Sequence, residues 1–246
     1  RMIKMTRLQP FFSYYGSKWN LSPRYPSPLH GIIIEPFAGS ACYSVFHGAH
    51  NHLQGCLFKP AAVELYDKSS IICSIWDYLI HVSEQEILSL PLLKPGQKIP
   101  ITLPIEARNL IGFWTTKGAV APGKTMTAQD DSLSMGYWAA GIRSRIAAQL
   151  KNIRHWKIKQ MSYDEIENRS ATWFIDPPYK TGGEHYHHSD IDYDHLSEYC
   201  QTRIGQVIVC ENNAADWLPF RTFSRTKGMR KDSIELIWTN KKSVIQ

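Results

Sequence analysis

Four short apolar runs stand out along the chain: Ile32-Ile33-Ile34, Ala61-Ala62-Val63 with Leu65, Trp173-Phe174-Ile175, and Val207-Ile208-Val209-Cys210. Each is rich in β-branched or aromatic residues and too short for a helix, so each predicts a strand buried on both faces. A last strand is predicted near 234–238. Elsewhere the apolar period lengthens. Ile71, Ile75 or Trp76, and Leu79 share one face of a helix over about 69–82, and Ile142, Ile146, Leu150 and Ile153 share another. Leu196, Tyr199 and Cys200 mark a third helix, with Asp192 or Asp194 as its cap. Buried strands that alternate with amphipathic helices predict an α/β protein. Between 91 and 131 the pattern breaks at Pro91, Pro95, Pro100, Pro104 and Pro122.

The polar residues that follow these runs carry the candidate chemistry. After the first comes Glu35-Pro36-Phe37-Ala38-Gly39-Ser40-Ala41, a turn of small residues before a helical segment, where Gly39 lets a ligand approach the backbone. The dinucleotide fingerprint G-x-G-x-x-G is not met, since only one of its glycines is present. The second run ends at Asp67, where an acid can accept hydrogen bonds from ribose hydroxyls. After the third comes Asp176-Pro177-Pro178-Tyr179. Two prolines forbid both a continuing ladder and an immediate helix, so the chain leaves the sheet as a stiff loop presenting an acid, carbonyls and a ring. That set suits the exocyclic amino group of a nucleobase, whose lone pair is delocalised into the ring. Asp176 and the Pro177 carbonyl can accept its two N–H bonds while Tyr179 stacks on the base. The bland alternative is a Pro-Pro turn after a core strand.

Taken with Tyr14-Tyr15-Gly16-Ser17-Lys18 near the start, these motifs resemble the Dam-type (D-P-P-Y, alpha-group) DNA adenine-N6 methyltransferases, which use S-adenosylmethionine. The likeness covers both ends of the chain, and it implies a Rossmann-like catalytic domain formed by 1–82 and 164–246, with a mostly helical region, 83–163, inserted into it and left uncovered by the likeness. It implies that Tyr14, Gly16, Lys18, the turn Glu35, Pro36, Phe37, Ala38, Gly39 and Ser40, and Asp67 bind S-adenosylmethionine together with Asp176. It further implies that Asp176, Pro177, Pro178 and Tyr179 perform catalysis and that the insert recognises the target. The family's F-x-G-x-G becomes Phe37-Ala38-Gly39-Ser40-Ala41, and Tyr14 stands where Trp is common. The expected substrate is duplex DNA with the target adenine flipped out of the stack. Cytosine N4, RNA, and an inactive DNA-binding module on the same fold are the alternatives. A monomer is expected, with a dimer left open.

Composition agrees with this reading. The 246 residues are 43% hydrophobic, enough for one α/β domain with a small insert. No apolar run approaches the ~18 residues of a membrane helix. No secretory leader is visible, and the five scattered cysteines form no C-x-x-C pair, so reduced thiols in a bacterial or phage-infected cytoplasm are expected. The net charge of +6 favours a polyanionic partner. Between 132 and 163 there are Arg143, Arg145, Lys151, Arg154, Lys157 and Lys159 and no acid, a one-sided charge that suggests phosphate contact. A second basic segment, read as a loop over 221–231, carries Arg225, Lys227, Arg230 and Lys231. Residues 180–189 are polar and Gly-containing, as expected of a flap over the base.

Three further patterns are weaker. Gly118 to Thr125 matches the P-loop pattern G-x-x-x-x-G-K-T, but that loop needs a strand before it and a helix after it, which the flanking residues do not offer. Lys124 is better used as a phosphate contact. Asp190, Asp192 and Asp194 begin like a calcium loop, yet His195 stands where Gly is required and Gln201 where Glu is required. The histidines His47, His50 and His52 with Cys56, and His185, His187 and His188, fit no zinc spacing, so no metal is expected.

Overall fold

The computed structural model describes residues 8–48, 62–116, 118–127, 136–183, 188–226 and 233–240. The run Ile32-Ile33-Ile34 forms β1 (Ile32–Glu35), central because both its faces meet apolar side chains. On one side β1 pairs in parallel with β2 (Ala62–Asp67), which pairs with β3 (Lys157–Gln160) at the edge. On the other it pairs with β4 (Ala171–Ile175), which pairs in parallel with β5 (Gly205–Asn212). The chain then closes with a hairpin, β6 (Arg221–Thr226) and β7 (Ser233–Thr239), whose second strand runs antiparallel to β5. The seven-stranded order is β3-β2-β1-β4-β5-β7-β6. It follows the Rossmann plan, with an antiparallel hairpin at the end, and its order reverses between β1 and β4. Loops leaving those two strands diverge and open a crevice there.

Side chains alternate across the sheet and feed two cores. Ile33, Val63, Leu65, Phe174 and Ile208 face Phe11, Phe12, Trp76 and Phe113. Ile34, Trp173, Ile175, Val207 and Val209 face Leu196, Tyr199 and Trp217. The helices are α1 (Cys42–His47), α2 (Ser70–His81), α3 (Glu84–Ser89), α4 (Ile105–Thr115), α5 (Ala140–Gln149) and α6 (Tyr193–Thr202). Ser69 caps α2 and Asp192 caps α6, each by accepting main-chain N–H groups. A reciprocal Ser83–Glu86 box starts α3.

Three features of the insert bear on its expected organisation. Its proline-rich part holds a real helix, α4, with Ala107, Leu110, Ile111 and Phe113 buried in the same core as α2, and Pro104 marking its start. The polar stretch Lys157–Gln160 is a strand of the main sheet, so the sheet resumes at 157 and not at 164. The P-loop reading fails, because Trp114 and Thr115 end a helix. The Gly118–Thr125 segment instead crosses α4, where a side chain on Gly112 would collide with Pro122 and Gly123. Residues 221–226, expected as loop, form β6, with Phe223 and Ser224 buried while Arg221 and Arg225 face solvent.

Candidate active site

Acids stand at the carboxyl ends of four neighbouring parallel strands: Asp67 closes β2, Glu35 closes β1, Asp176 follows β4 and Glu211 is next to last in β5. Three of them tie down the loops that follow. Glu35 accepts the main-chain N–H of Ser44 at 2.7 Å. Burial pushes its carboxyl up to about 8, against the pull of the Ser44 bonds. Asp67 uses both oxygens, accepting Gly39 N–H at 3.0 Å and Ser69 N–H at 2.8 Å, and so fixes the turn after β1 and the start of α2. Glu211 accepts the N–H groups of Lys180, at 3.1 Å, and Asn212, at 2.8 Å, and the Trp217 indole at 3.1 Å. Burial raises the pKa of both Asp67 and Glu211.

Asp176 differs. Its buried Oδ1 pairs with the Lys18 ammonium 3.0 Å away, and no main-chain N–H among the described residues binds it. Burial raises its pKa and Lys18 opposes the shift. Lys18, 7% exposed, donates to the Gly16 carbonyl at 2.9 Å, sits 4.7 Å above the Tyr179 ring and lies 3.9 Å from Glu235. Burial alone would lower its pKa, but Asp176 and Glu235 hold it above the ordinary lysine value. Asp176, Glu235 and Cys210 bring metal-type donor atoms together, yet Lys18 already supplies the positive charge between the two acids.

The loop after β4 is pinned along its length. The Pro178 carbonyl accepts the Tyr193 hydroxyl at 2.7 Å, the Tyr179 hydroxyl donates to Glu235 at 2.7 Å, and Lys180 N–H is held by Glu211. The turn after β1 is held equally firmly. Ala38 N–H donates to the Tyr66 carbonyl, the Trp76 indole donates to the Gly39 carbonyl, and Gly39 takes φ +45°. A side chain at Gly39 would press on the Tyr14 ring at 3.2 Å.

One cleft runs between these loops. Of the residues proposed from the sequence, its wall includes Tyr14, Gly16, Lys18, Glu35, Pro36, Phe37, Ala38, Gly39, Ser40, Asp67, Asp176 and Pro178. Pro177 is buried and Tyr179 lies off the wall. The sequence reading missed Phe113 and Val120, brought in by the insert, and Tyr163 and Ile191 from either side of β4. It also missed Glu235, whose signal was a single acid within the apolar strand Ile234-Glu235-Leu236-Ile237.

The basic residues divide. Arg143 donates to the Leu90 carbonyl at 2.5 Å, and Arg145 donates to the Pro10 carbonyl at 3.0 Å and lies over the Trp114 ring. Arg154 donates to the carbonyls of Ile80 and Val82 at the C-terminal end of α2. These three guanidinium groups are bound to main-chain carbonyls and bridge elements of the fold. Lys124, Lys151, Arg154, Lys157, Lys159 and Arg225 are exposed. Lys227, Arg230 and Lys231 lie outside the described residues, as do His50, His52, Cys56, His185, His187 and part of the expected flap, 184–187. His47 is buried against the Ser22 carbonyl. Cys42, Cys73, Cys200 and Cys210 are free thiols. No helix among the described residues is long and apolar enough to cross a membrane.

No protein-family model matches this sequence, and no curated protein matches it. Among solved structures, the yhhF protein of Escherichia coli, provisionally described as a methyltransferase, aligns with TM-score 0.34 and 7% identity over 84% of this chain and 73% of its own. A conserved hypothetical protein from Streptococcus pyogenes aligns with TM-score 0.35 and 11% identity over 90% and 93%. The HI0767 protein of Haemophilus influenzae, provisionally described as a methylase, gives 0.34 and 9% over 89% and 83%. Likeness at this level carries no activity from one protein to another.

Proposed function

We propose that this protein is an S-adenosylmethionine-dependent methyltransferase acting on the exocyclic amino group of a nucleobase, adenine N6 in duplex DNA. The observation that carries the reading is Asp176, held by a side-chain ammonium and by no main-chain N–H among the described residues, while the other three strand-end acids are bound to main-chain N–H groups. A nitrogen, the Lys18 ammonium, already rests beside it. The position therefore favours an N–H donor next to a carboxylate.

The cleft suits the cofactor in the chemistry of its walls. Asp67 and Glu35 keep lone pairs for a ribose diol or an ammonium group, and Phe37, Ile71 and Tyr163 give the apolar surface that a purine needs. When bound, S-adenosylmethionine supplies a methyl carbon made electrophilic by its sulfonium. The protein has then mainly to orient the amine and to stabilise the charge developing on nitrogen. Asp176 accepts one N–H of the target, and the Pro177 carbonyl, on a loop pinned through Pro178, Tyr179 and Lys180, accepts the other. The raised pKa of Asp176 makes it a competent acceptor for the proton that the nitrogen sheds. The Tyr179 ring offers a stacking surface once Lys18 moves aside.

Calorimetric titration with S-adenosylmethionine, followed by transfer of a labelled methyl group to DNA from a methylation-deficient bacterium, tests the reading. Digestion of the product to nucleosides should give N6-methyladenine. N4-methylcytosine would move the target to cytosine, and transfer to RNA alone would change the substrate class. Cofactor binding without transfer would mean an inactive module.

A further inference from the structure

Glu235 is the acid that the loop motifs do not account for. It sits on β7, opposite Asn212 of β5 and Ser224 of β6, with its side chain 12% exposed. One oxygen, Oε1, accepts both the Tyr179 hydroxyl at 2.7 Å and the Tyr25 hydroxyl at 3.2 Å, and the same atom lies 3.9 Å from Lys18 Nζ. A hydroxyl held at that distance fixes where the ring lies, and a carboxylate within 4 Å of an ammonium already paired elsewhere is a second place for that ammonium to go. Resting on the function proposed above, which requires the target amine to meet Asp176, the same geometry shows what must first happen: Lys18 has to leave.

We propose that Glu235 is a positioning residue for this reaction, one that aims the Tyr179 ring through its hydroxyl and receives the Lys18 ammonium when the target amine takes its place on Asp176. Lys18 thus stays paired and buried throughout, which avoids the cost of an isolated internal charge. Glu235 must be ionised to receive it. Burial raises its carboxyl to about 7, opposed by Lys18, raised further by Asp176, and lowered by the hydroxyls of Tyr179 and Tyr25. The groups that face it are Lys18, Tyr25, Asp176, Tyr179 and, from β5, Cys210. The rate of methyl transfer should accordingly rise with pH through about 7, as Glu235 loses its proton.

Glu235→Gln should lower kcat about tenfold or more and remove the step near pH 7, while the dissociation constants for S-adenosylmethionine and for DNA stay within about threefold of wild type. Tyr179→Phe breaks the same bond, and the double variant should be little slower than the slower single one. Wild-type kcat in Glu235→Gln, an unchanged pH step, or multiplicative losses in the double variant would overturn the assignment. If Glu235→Gln does not fold, Tyr179→Phe alone decides, because a wild-type rate there denies any role to the bond. A readout without catalysis keeps this apart from the proposed function. Melting temperatures of wild type, both single variants and the double variant form a cycle, and additive shifts would show that Glu235 does not hold Tyr179, even in a protein that transfers no methyl group.

Discussion

Asp67 and Asp176 end strands on either side of β1 and would be read alike from the sequence, yet their surroundings are opposite. Asp67 accepts two main-chain N–H groups and is part of the scaffold that shapes the turn after β1. Asp176 accepts no main-chain N–H among the described residues and pairs with an ammonium instead. A carboxylate held by a flexible side chain can exchange that partner for another donor, which one bound to the main chain cannot do without moving its loop. The fold thus spends three acids on holding loops and leaves one able to bind something else. The contrast predicts where substitutions act on rate and where they act on stability.

The largest difference should come from the two alanine variants. Asp176→Ala should lower the rate of methyl transfer by about a hundredfold or more, as removal of a transition-state contact does, with the cofactor dissociation constant nearly unchanged. Asp67→Ala should do the reverse. Losing the acceptor of two main-chain N–H groups should cost about 1–3 kcal/mol, or several degrees of melting temperature in a chain of this size, and weaken the cofactor as the turn loosens. Initial rates, calorimetry and thermal melts on both proteins check this. Equal effects of the two variants on rate would erase the distinction.

How far the sequence reveals this contrast depends on what kind of order each element has. β1, β2, β4 and β5 were legible because central parallel strands must be apolar on both faces, and α2 because Ile71, Ile75 and Leu79 recur at helical spacing. β3 was hidden, since an edge strand needs to bury little, and Lys157, Lys159 and Gln160 read as surface. α4 carries helical spacing at Ala107, Leu110, Ile111 and Trp114, but the prolines around it mask that pattern by breaking it on both sides of the helix. The motif residues were legible as a set. Their division into scaffold and chemistry was not, because it depends on which N–H groups the turns present to which carboxylate. Glu235 and Tyr25 reach the site from distant segments, and nothing local in either marks a partner.

The same division between committed and available groups applies to the basic residues, with a smaller expected effect. Arg154 binds carbonyls at the end of α2, so Arg154→Ala should cost about 1–2 kcal/mol and a few degrees in melting temperature while leaving the salt dependence of DNA binding as it is. Arg225 is exposed on β6. If it contacts phosphate, Arg225→Ala should leave the melting temperature alone and flatten the log–log salt slope by about 0.9. Titrations with one DNA duplex at several salt concentrations separate the two. A flattened slope in Arg154→Ala would return that residue to the DNA surface.

The smallest effect concerns Glu35, the buried acid of the strand between the two. Its carboxyl is raised from the ordinary 4.5 to about 8 by burial, so the folded protein holds a proton there that the unfolded chain gives up. Where the native state binds more protons than the unfolded state, stability falls as pH rises. The contribution is therefore fully present below about pH 4.5 and is lost progressively as pH climbs through about 8. Glu35→Gln cannot ionise, and its amide oxygen can still accept the Ser44 N–H that Glu35 accepts at 2.7 Å. Asp67, Asp176, Glu211 and Glu235 are shifted in the same direction and will tilt both curves alike, so the informative quantity is the difference between the two proteins. Melting temperatures measured from pH 5 to pH 9 should show wild type losing ground to Glu35→Gln mainly on the alkaline side. Parallel curves would mean that Glu35 is already ionised in the folded protein.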